Sequence, residues 1–394
     1  MKLLLYSWNA NNESILADNL IKMGFEIVWF RKECKHYTRD MELAMEMIPC
    51  IHKEKIEGII SFNYFPIISM ICNTCQIPYY AWVYDCPHFT LYARQAALPW
   101  NHIGIFDREM VRQLQEYSIN TVYHAPLAAD TDFFESVIGK TTEERAKYGC
   151  DISFVGSLYT DEHNYYDMFS GMEAETGEAV IQEQCFSYDV DYLQKAIEDG
   201  TIDVELLQAK MEKQGLMLGE DYLAREEDIL KAAVLEKKVT VEERKKLLGA
   251  IAEKAEKCKA VTFKLFTGSD TSTLPVLHSY NCGRVDYKTQ MPLVFAESRI
   301  NLNITLRSIH SGIPLRVLDI MACGGFVLTN WQPEIEEYFT DGKEVVMFHN
   351  LEECMNQIDY YLSHEEERKQ IAENGQKKVR EAFSYQTGLA RLFS

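Results

Sequence analysis

The sequence predicts two doubly wound α/β domains in tandem, the second interrupted by a helical insertion. Three observations predict it. Short β-rich runs alternate with amphipathic stretches from the N-terminus to about residue 125, and the same alternation resumes at residue 151. Several of the runs are apolar throughout, as strands covered by helices on both faces must be.

The first-domain runs are 2–7, 25–30, 58–62, 79–84, 103–106 and 121–124. Between the first two, residues 13–23 read as a helix: Leu16, Leu20 and Met23 share a face, and Gly24 closes it. Second-domain runs follow at 151–156, 260–267, 300–305, 326–329 and 344–348. Residues 159–259 are charged, rich in Leu, Ala, Glu and Lys, and show no strand pattern. Within them Thr240 as N-cap and Glu243 three positions later predict a capping box before Leu247, Leu248 and Ile251. The expected organisation is a Rossmann-like domain over 1–135 and a second over 136–378 with the insertion at about 159–259. A terminal helix at 379–394 is expected to pack back toward the first domain.

Composition narrows the function classes. Lys and Arg number 40 against 60 Asp and Glu, so the formal net charge is −20. That balance excludes a polyanion such as nucleic acid as the main partner, since phosphate neutralisation needs a basic surface. A small phosphorylated ligand stays compatible, because a few arginines and one helix start can hold it locally. Eleven cysteines in 394 residues are too sparse and odd in number for a disulfide scaffold. The pair Cys72 and Cys75 lacks the further ligands of a metal site and reads as reduced thiols. The run 3–6 is too short for a signal segment, and 58–84 is broken by Asn63, Pro66, Asn73 and Pro78. A cytoplasmic chain without a transmembrane segment is expected.

The densest chemical signal lies at 301–325. A strand ends near Thr305, a loop carries Arg307, His310, Ser311 and Gly312, and a helix is expected from Pro314 to the pair Gly324 and Gly325. Gly312 permits close approach to the backbone, and free N–H groups at a helix start attract an anion. Arg307 and Arg316 could pair with phosphate oxygens, and Asp319, behind that start, could accept hydrogen bonds from sugar hydroxyls.

The stretch Gly312-Ile-Pro-Leu-Arg-Val-Leu-Asp-Ile-Met-Ala-Cys-Gly-Gly-Phe-Val-Leu-Thr-Asn330 resembles the donor segment of GT-B glycosyltransferases, of the family 4-like kind. Together with 151–157, 359–368, 371–375, Tyr84-Asp-Cys-Pro87 and Ala125-Pro-Leu-Ala128, it is similar to the spore-maturation CgeB-like group. The GT-B pattern carries two glutamates eight positions apart; here Ser311 and Asp319 stand in their places. The resemblance implies a GT-B fold, with two Rossmann-like domains facing a cleft, and transfer of a sugar from a nucleotide diphosphate donor, a uridine one, to an acceptor hydroxyl. It puts the Ser311 and Gly312 amides and Arg307 on the diphosphate and Asp319 on the ribose, with Ile313 and Arg316 also among the donor-binding residues. The base falls near Gly283-Arg-Val-Asp-Tyr287, with Arg284 adding a cationic contact. It also implies an acceptor-side first domain and no metal or other cofactor. The pairs Asp130/Asp132 and Asp189/Asp191 have no second cluster of oxygen ligands near them in sequence and read as chance matches in an acidic chain.

On the acceptor side, Tyr84-Asp-Cys-Pro-His88 follows a strand at its carboxyl end, where ligands bind in such sheets. Asp85 and His88 are therefore candidates to orient or deprotonate a hydroxyl. Trp8, Asn9 and His124 are candidates to line the cleft. The acceptor is open between a protein, a polysaccharide and a small molecule. Two other readings stay open: a nucleotide-sugar epimerase or hydrolase of the same fold, and a non-catalytic nucleotide-sugar-binding scaffold.

Overall fold

A computed structural model describes residues 1–140, 145–160, 165–168, 172–212, 219 and 221–394. The first domain runs β1 (Lys2–Ser7), α1 (Glu13–Lys22), β2 (Glu26–Arg31), α2 (Met41–Glu54), β3 (Gly58–Phe62), α3 (Pro66–Cys75), β4 (Tyr79–Val83), β5 (Asn101–Ile105), α4 (Arg108–Glu116) and β6 (Val122–His124). Its strands lie in the order β2-β1-β3-β4-β5-β6, and every pairing is parallel. The order turns back between β1 and β3, which leaves a crevice beyond the carboxyl end of β1.

After α5 (Thr131–Lys140) comes β7 (Ile152–Val155), then α6 (Met172–Gln184), α7 (Tyr192–Glu198), α8 (Val204–Glu212), α9 (Glu226–Leu230) and α10 (Glu236–Lys257). The chain continues through β8 (Phe263–Phe266), α11 (Pro275–His278), α12 (Met291–Glu297), β9 (Ile300–Asn303), α13 (Leu315–Ala322), β10 (Val327–Asn330), α14 (Pro333–Tyr338) and β11 (Val346–Phe348). It ends in α15 (Leu351–Ser363), α16 (Glu365–Ala382) and α17 (Tyr385–Leu392). This second sheet has the order β11-β10-β9-β7-β8, again wholly parallel, with its turning point between β7 and β9.

The helical region divides by what it buries. Ile181, Leu193, Leu207, Met211, Leu230, Val234 and Val239 form a small core of their own. In α10, by contrast, Leu247, Leu248, Ile251 and Ala252 pack with Ile152, Phe154 and Leu265 in the core of the second sheet. So α10 is the crossover from β7 to β8, not part of the insertion as expected. The expected helix start at Thr240 is also corrected. Helical backbone runs from Glu226 through a π turn at Lys231–Leu235 into α10, and Thr240 Oγ1 donates to the Glu236 carbonyl (3.0 Å). The apolar face of Val234, Leu235 and Val239 continues across the capping signal, so burial outweighs it.

The end of the chain lies on the first domain. Phe393 stacks on Phe25 with centroids 4.9 Å apart, and Tyr123 Oη donates to the Leu392 carbonyl (2.6 Å). Gly388 sits so close to the Trp82 ring that a Cβ there would fall 2.5 Å from it. A second tie joins the helical region to the first domain. Tyr222 pairs with Ala93 in an antiparallel bridge, Leu223 N donates to the Tyr92 carbonyl (2.8 Å), and Asp221 holds Arg39 (3.2 Å). All eleven cysteines are free thiols. Among the described residues no helix is long and apolar enough to cross a membrane.

Candidate functional site

The carboxyl ends of β7 and β8 open into a cavity of about 1150 Å³. Its walls are the turns that leave those strands (Gly156 and Ser157; Thr267 to Asp270), the segment 284–287 and the starts of α12 and α13. Asn11, from the loop after β1, closes it from the first domain. The cavity therefore lies where the turning points of the two sheets face each other.

The turns are rigid for local reasons. Ser269 Oγ accepts from Leu158 N (2.8 Å), joining the two strand ends, and Arg244 reaches from α10 to the carbonyls of Ser157 and Ile304. Asp286 accepts from Lys288 N and Thr289 N and shapes the approach to α12; the Thr289 hydroxyl holds its carboxyl below the usual range. Gly283 takes a positive φ of 81°, which turns the chain so that Arg284 enters the wall. Arg284 is exposed, and among the described residues no carboxylate is paired with it.

Arg316, in the first turn of α13, is the second guanidinium in the wall. It pairs with Asp319 (3.3 Å) and lies over the Phe295 ring. Asp319 is buried and does not face the cavity openly: Tyr287 Oη donates to its other oxygen (2.8 Å). Burial pushes its carboxyl up to about 6, against the lowering pull of Arg316 and Tyr287. Asn12 Nδ2 donates to Tyr287 Oη (3.2 Å), and Lys288 Nζ to Ser14 Oγ (2.7 Å), so the first domain braces this wall.

Several expected residues lie elsewhere. Arg307 is not in this cavity; its guanidinium is held by Glu243 (Nε to Oε1, 3.0 Å) and the Gln184 carbonyl, over the Tyr188 ring. The backbone N–H groups of His310 and Ser311 are aimed at an anion, but that anion is Asp107 of the first domain (2.6 and 3.1 Å). Asp107 also caps α4 through Met110 N (3.0 Å), so the loop meets a carboxylate the protein itself supplies. Ser311 Oγ bonds Asp107 and Glu334, and Gly312 is pressed against Phe106, where a Cβ would fall 2.8 Å from the Phe106 carbonyl oxygen. Ile313 is buried in the core. Pro314 is the N-cap of α13 rather than its first turn. This stretch is a domain interface, and the phosphate-facing role expected of its amides is not what the geometry shows.

The acceptor-side candidates divide. Asp85 is exposed and takes a hydrogen bond from Asn63 Nδ2 (2.6 Å), while Asn63 Oδ1 accepts from Tyr84 N and Asp85 N. His88 is spoken for: its Nε2 accepts from Tyr64 N (3.1 Å) and meets Thr90 Oγ1 (2.8 Å), and burial lowers its pKa. It props up the turn through Nε2. His124 pairs with buried Glu334 across the domains (2.7 Å) and lines neither large cavity. Trp8 donates to the Phe62 carbonyl (2.9 Å), and Asn9 adopts φ 69° in a loop tied down by Glu13. Three of the four Asp residues cap helices or join ion pairs: Asp130 accepts from Phe133 N, Asp132 binds Arg380, and Asp191 caps α7.

His310 joins the same interface through Glu236 (2.8 Å). Burial of the ring would lower its pKa, but the Glu236 carboxylate outweighs this and pushes it up to about 9. A histidine raised in the folded state contributes fully below about 6.5 and loses that contribution as pH rises through about 9. Chemical denaturation from pH 6 to 10 should therefore show a fall of roughly 3 kcal/mol in the parent that His310→Gln lacks. Equal slopes for the two proteins would refute the assignment.

Residues 236–394 match the family model described as glycosyl transferase-like. No curated protein matches the chain. Among solved structures it is similar to a glycosyltransferase from Rickettsia africae, at 11% identity and TM-score 0.53, covering 100% of this chain and 96% of that one. It is similar also to HepE of Anabaena in complex with UDP-glucose, at 9% and 0.54, covering 100% and 98%. A third is sucrose-phosphate synthase from Thermosynechococcus elongatus, at 8% and 0.52, covering 100% and 97%. With its two facing parallel-sheet domains, the chain has the GT-B fold of these glycosyltransferase structures, and residues 236–394 carry a glycosyl transferase-like sequence.

Proposed function

We propose that the chain transfers a sugar from a uridine diphosphate sugar to an acceptor hydroxyl. The observation that carries this reading is the cavity beyond β7 and β8, with Arg284 and Arg316 as its two cations in an otherwise acidic molecule. As the bond from sugar to diphosphate breaks, negative charge grows on the departing oxygens, and a fixed guanidinium stabilises it more than the ground state. The hydroxyls of Ser157, Thr267 and Ser269 and the backbone of 284–287 supply neutral contacts for base and ribose. UDP-glucose bound in the similar HepE structure supports a uridine donor. The two arginines do the charge stabilisation that a divalent ion does elsewhere, so transfer without a metal belongs to this proposal. So do membership of the spore-maturation CgeB-like group and a reducing compartment, in which eleven thiols stay free.

Calorimetric titration with UDP and UDP-glucose tests it. The parent should bind saturably, and Arg284→Ala should weaken UDP by about tenfold through loss of one charge-assisted contact. Acceptor-dependent UDP release should persist in excess EDTA. Absence of nucleotide binding, or an Arg284→Ala variant that binds like the parent, refutes the donor site.

A further inference from the structure

A second cavity, of about 520 Å³, lies apart from the donor cavity, between the first domain, the insertion and the loop after β9. We propose that it is the acceptor site and takes an uncharged saccharide unit, one of whose hydroxyls donates to Glu236. This rests on the glycosyl-transfer reading above. The volume falls within the roughly 300–1,000 Å³ of small-molecule sites.

Position comes first. The turn after β4 and the turns after β9 and β10 all reach this cavity, so it occupies the cleft where the carboxyl ends of the two sheets meet. The insertion adds the outer wall through Ser187 and Asp189. Helix α10 lines this cavity and braces the wall of the other. Arg244 holds the Ser157 turn of the donor side, and Glu236, eight residues earlier and about 12 Å along the axis, lines the other.

The chemistry of the lining selects the ligand. Glu236 is 5% exposed; its Oε1 is bonded to His310 Nε2, and its Oε2 is buried with no hydrogen-bond partner. A carboxylate oxygen only accepts, and a buried one left unpaired is costly, so the group that completes it must be a donor such as a hydroxyl. Among the described residues an anionic ligand finds no free cation here. Arg112 is held by Glu109 and Glu116, Arg225 by Asp228, Lys231 by Asp191 and Arg307 by Glu243. The rings of Phe89, Tyr92 and Tyr117 offer the apolar face against which the C–H surface of a sugar packs.

The test uses the full chain saturated with UDP. Glucose, maltose, cellobiose and lactose are titrated by ligand-observed NMR, with glucose 6-phosphate and glucuronic acid as the anionic arm. At least one neutral saccharide should bind without displacing UDP. Glu236→Gln should weaken it by about tenfold and leave UDP affinity unchanged. Asp189→Asn, at an exposed position, should weaken it by about threefold. UDP binding with no neutral saccharide bound overturns the proposal. Tighter binding of the anionic arm, or parental affinity in both variants, overturns it equally. Failure of UDP itself to bind overturns the glycosyl-transfer reading, and the acceptor assignment with it.

Discussion

Replacing Arg316 with alanine is expected to weaken UDP binding by about 100-fold, the largest effect of any single change in the donor cavity. Arg316 differs from Arg284 in being fixed. Asp319 holds one side of its guanidinium, and the Phe295 ring supports its face, so little side-chain freedom is lost when a diphosphate docks. Removing it has a second consequence. Asp319 loses the cation that opposes burial, so its carboxyl rises further above about 6. Arg316→Lys restores the charge but not the planar fork, and should recover only part of the affinity. Titration of UDP at pH 7.5 decides; a loss smaller than about threefold, the scale of an exposed ion pair, would refute the role.

The largest expected effect on stability belongs to Glu243→Ala. Glu243 is 1% exposed and is the carboxylate that neutralises buried Arg307, whose guanidinium it keeps charged against the desolvation of its site. Removing one partner of such a pair leaves an uncompensated buried charge, at a cost of about 3–5 kcal/mol. The double change Glu243→Leu with Arg307→Met removes both charges together and should cost far less. Urea denaturation of the two variants measures the difference. Because this pair lies outside the donor cavity, the folded double variant should bind UDP like the parent. A collapse of UDP affinity would return Arg307 to the phosphate site.

What the sequence made legible follows from which interactions are local. Strand runs such as 58–62 and 151–156 are mostly apolar and bounded by polar turns, and the strands they form are buried at every position, so they fall where expected. The carboxyl-end rule located the region of the site. Applied also to β7 and β8, it would have singled out Ser157, Thr267 and Ser269, which the attention to 301–325 passed over. The loop at 307–313 could not be read, because its partners come from other elements. Asp107 lies some two hundred positions earlier, and Glu243 faces Arg307 across the fold. An arginine beside a glycine turn looks the same whether its counter-ion is a ligand or a distant carboxylate. Thr240 misled for a related reason: a capping signal states what a helix end would look like, while burial decides whether there is one.

The bridge between Tyr222 and Ala93 has a mechanical consequence. The chain already crosses between the lobes at α5 and again before α17, and the clasp at 221–223 adds a non-covalent crossing. Two lobes joined only by the chain can swing like a book; tied together elsewhere as well, they cannot open until the tie lets go. The clasp is held by two backbone hydrogen bonds and an exposed ion pair, which makes it weaker than the covalent crossings. Any parting of the lobes therefore breaks this clasp together with the Asp107–Ser311 and His124–Glu334 contacts between them.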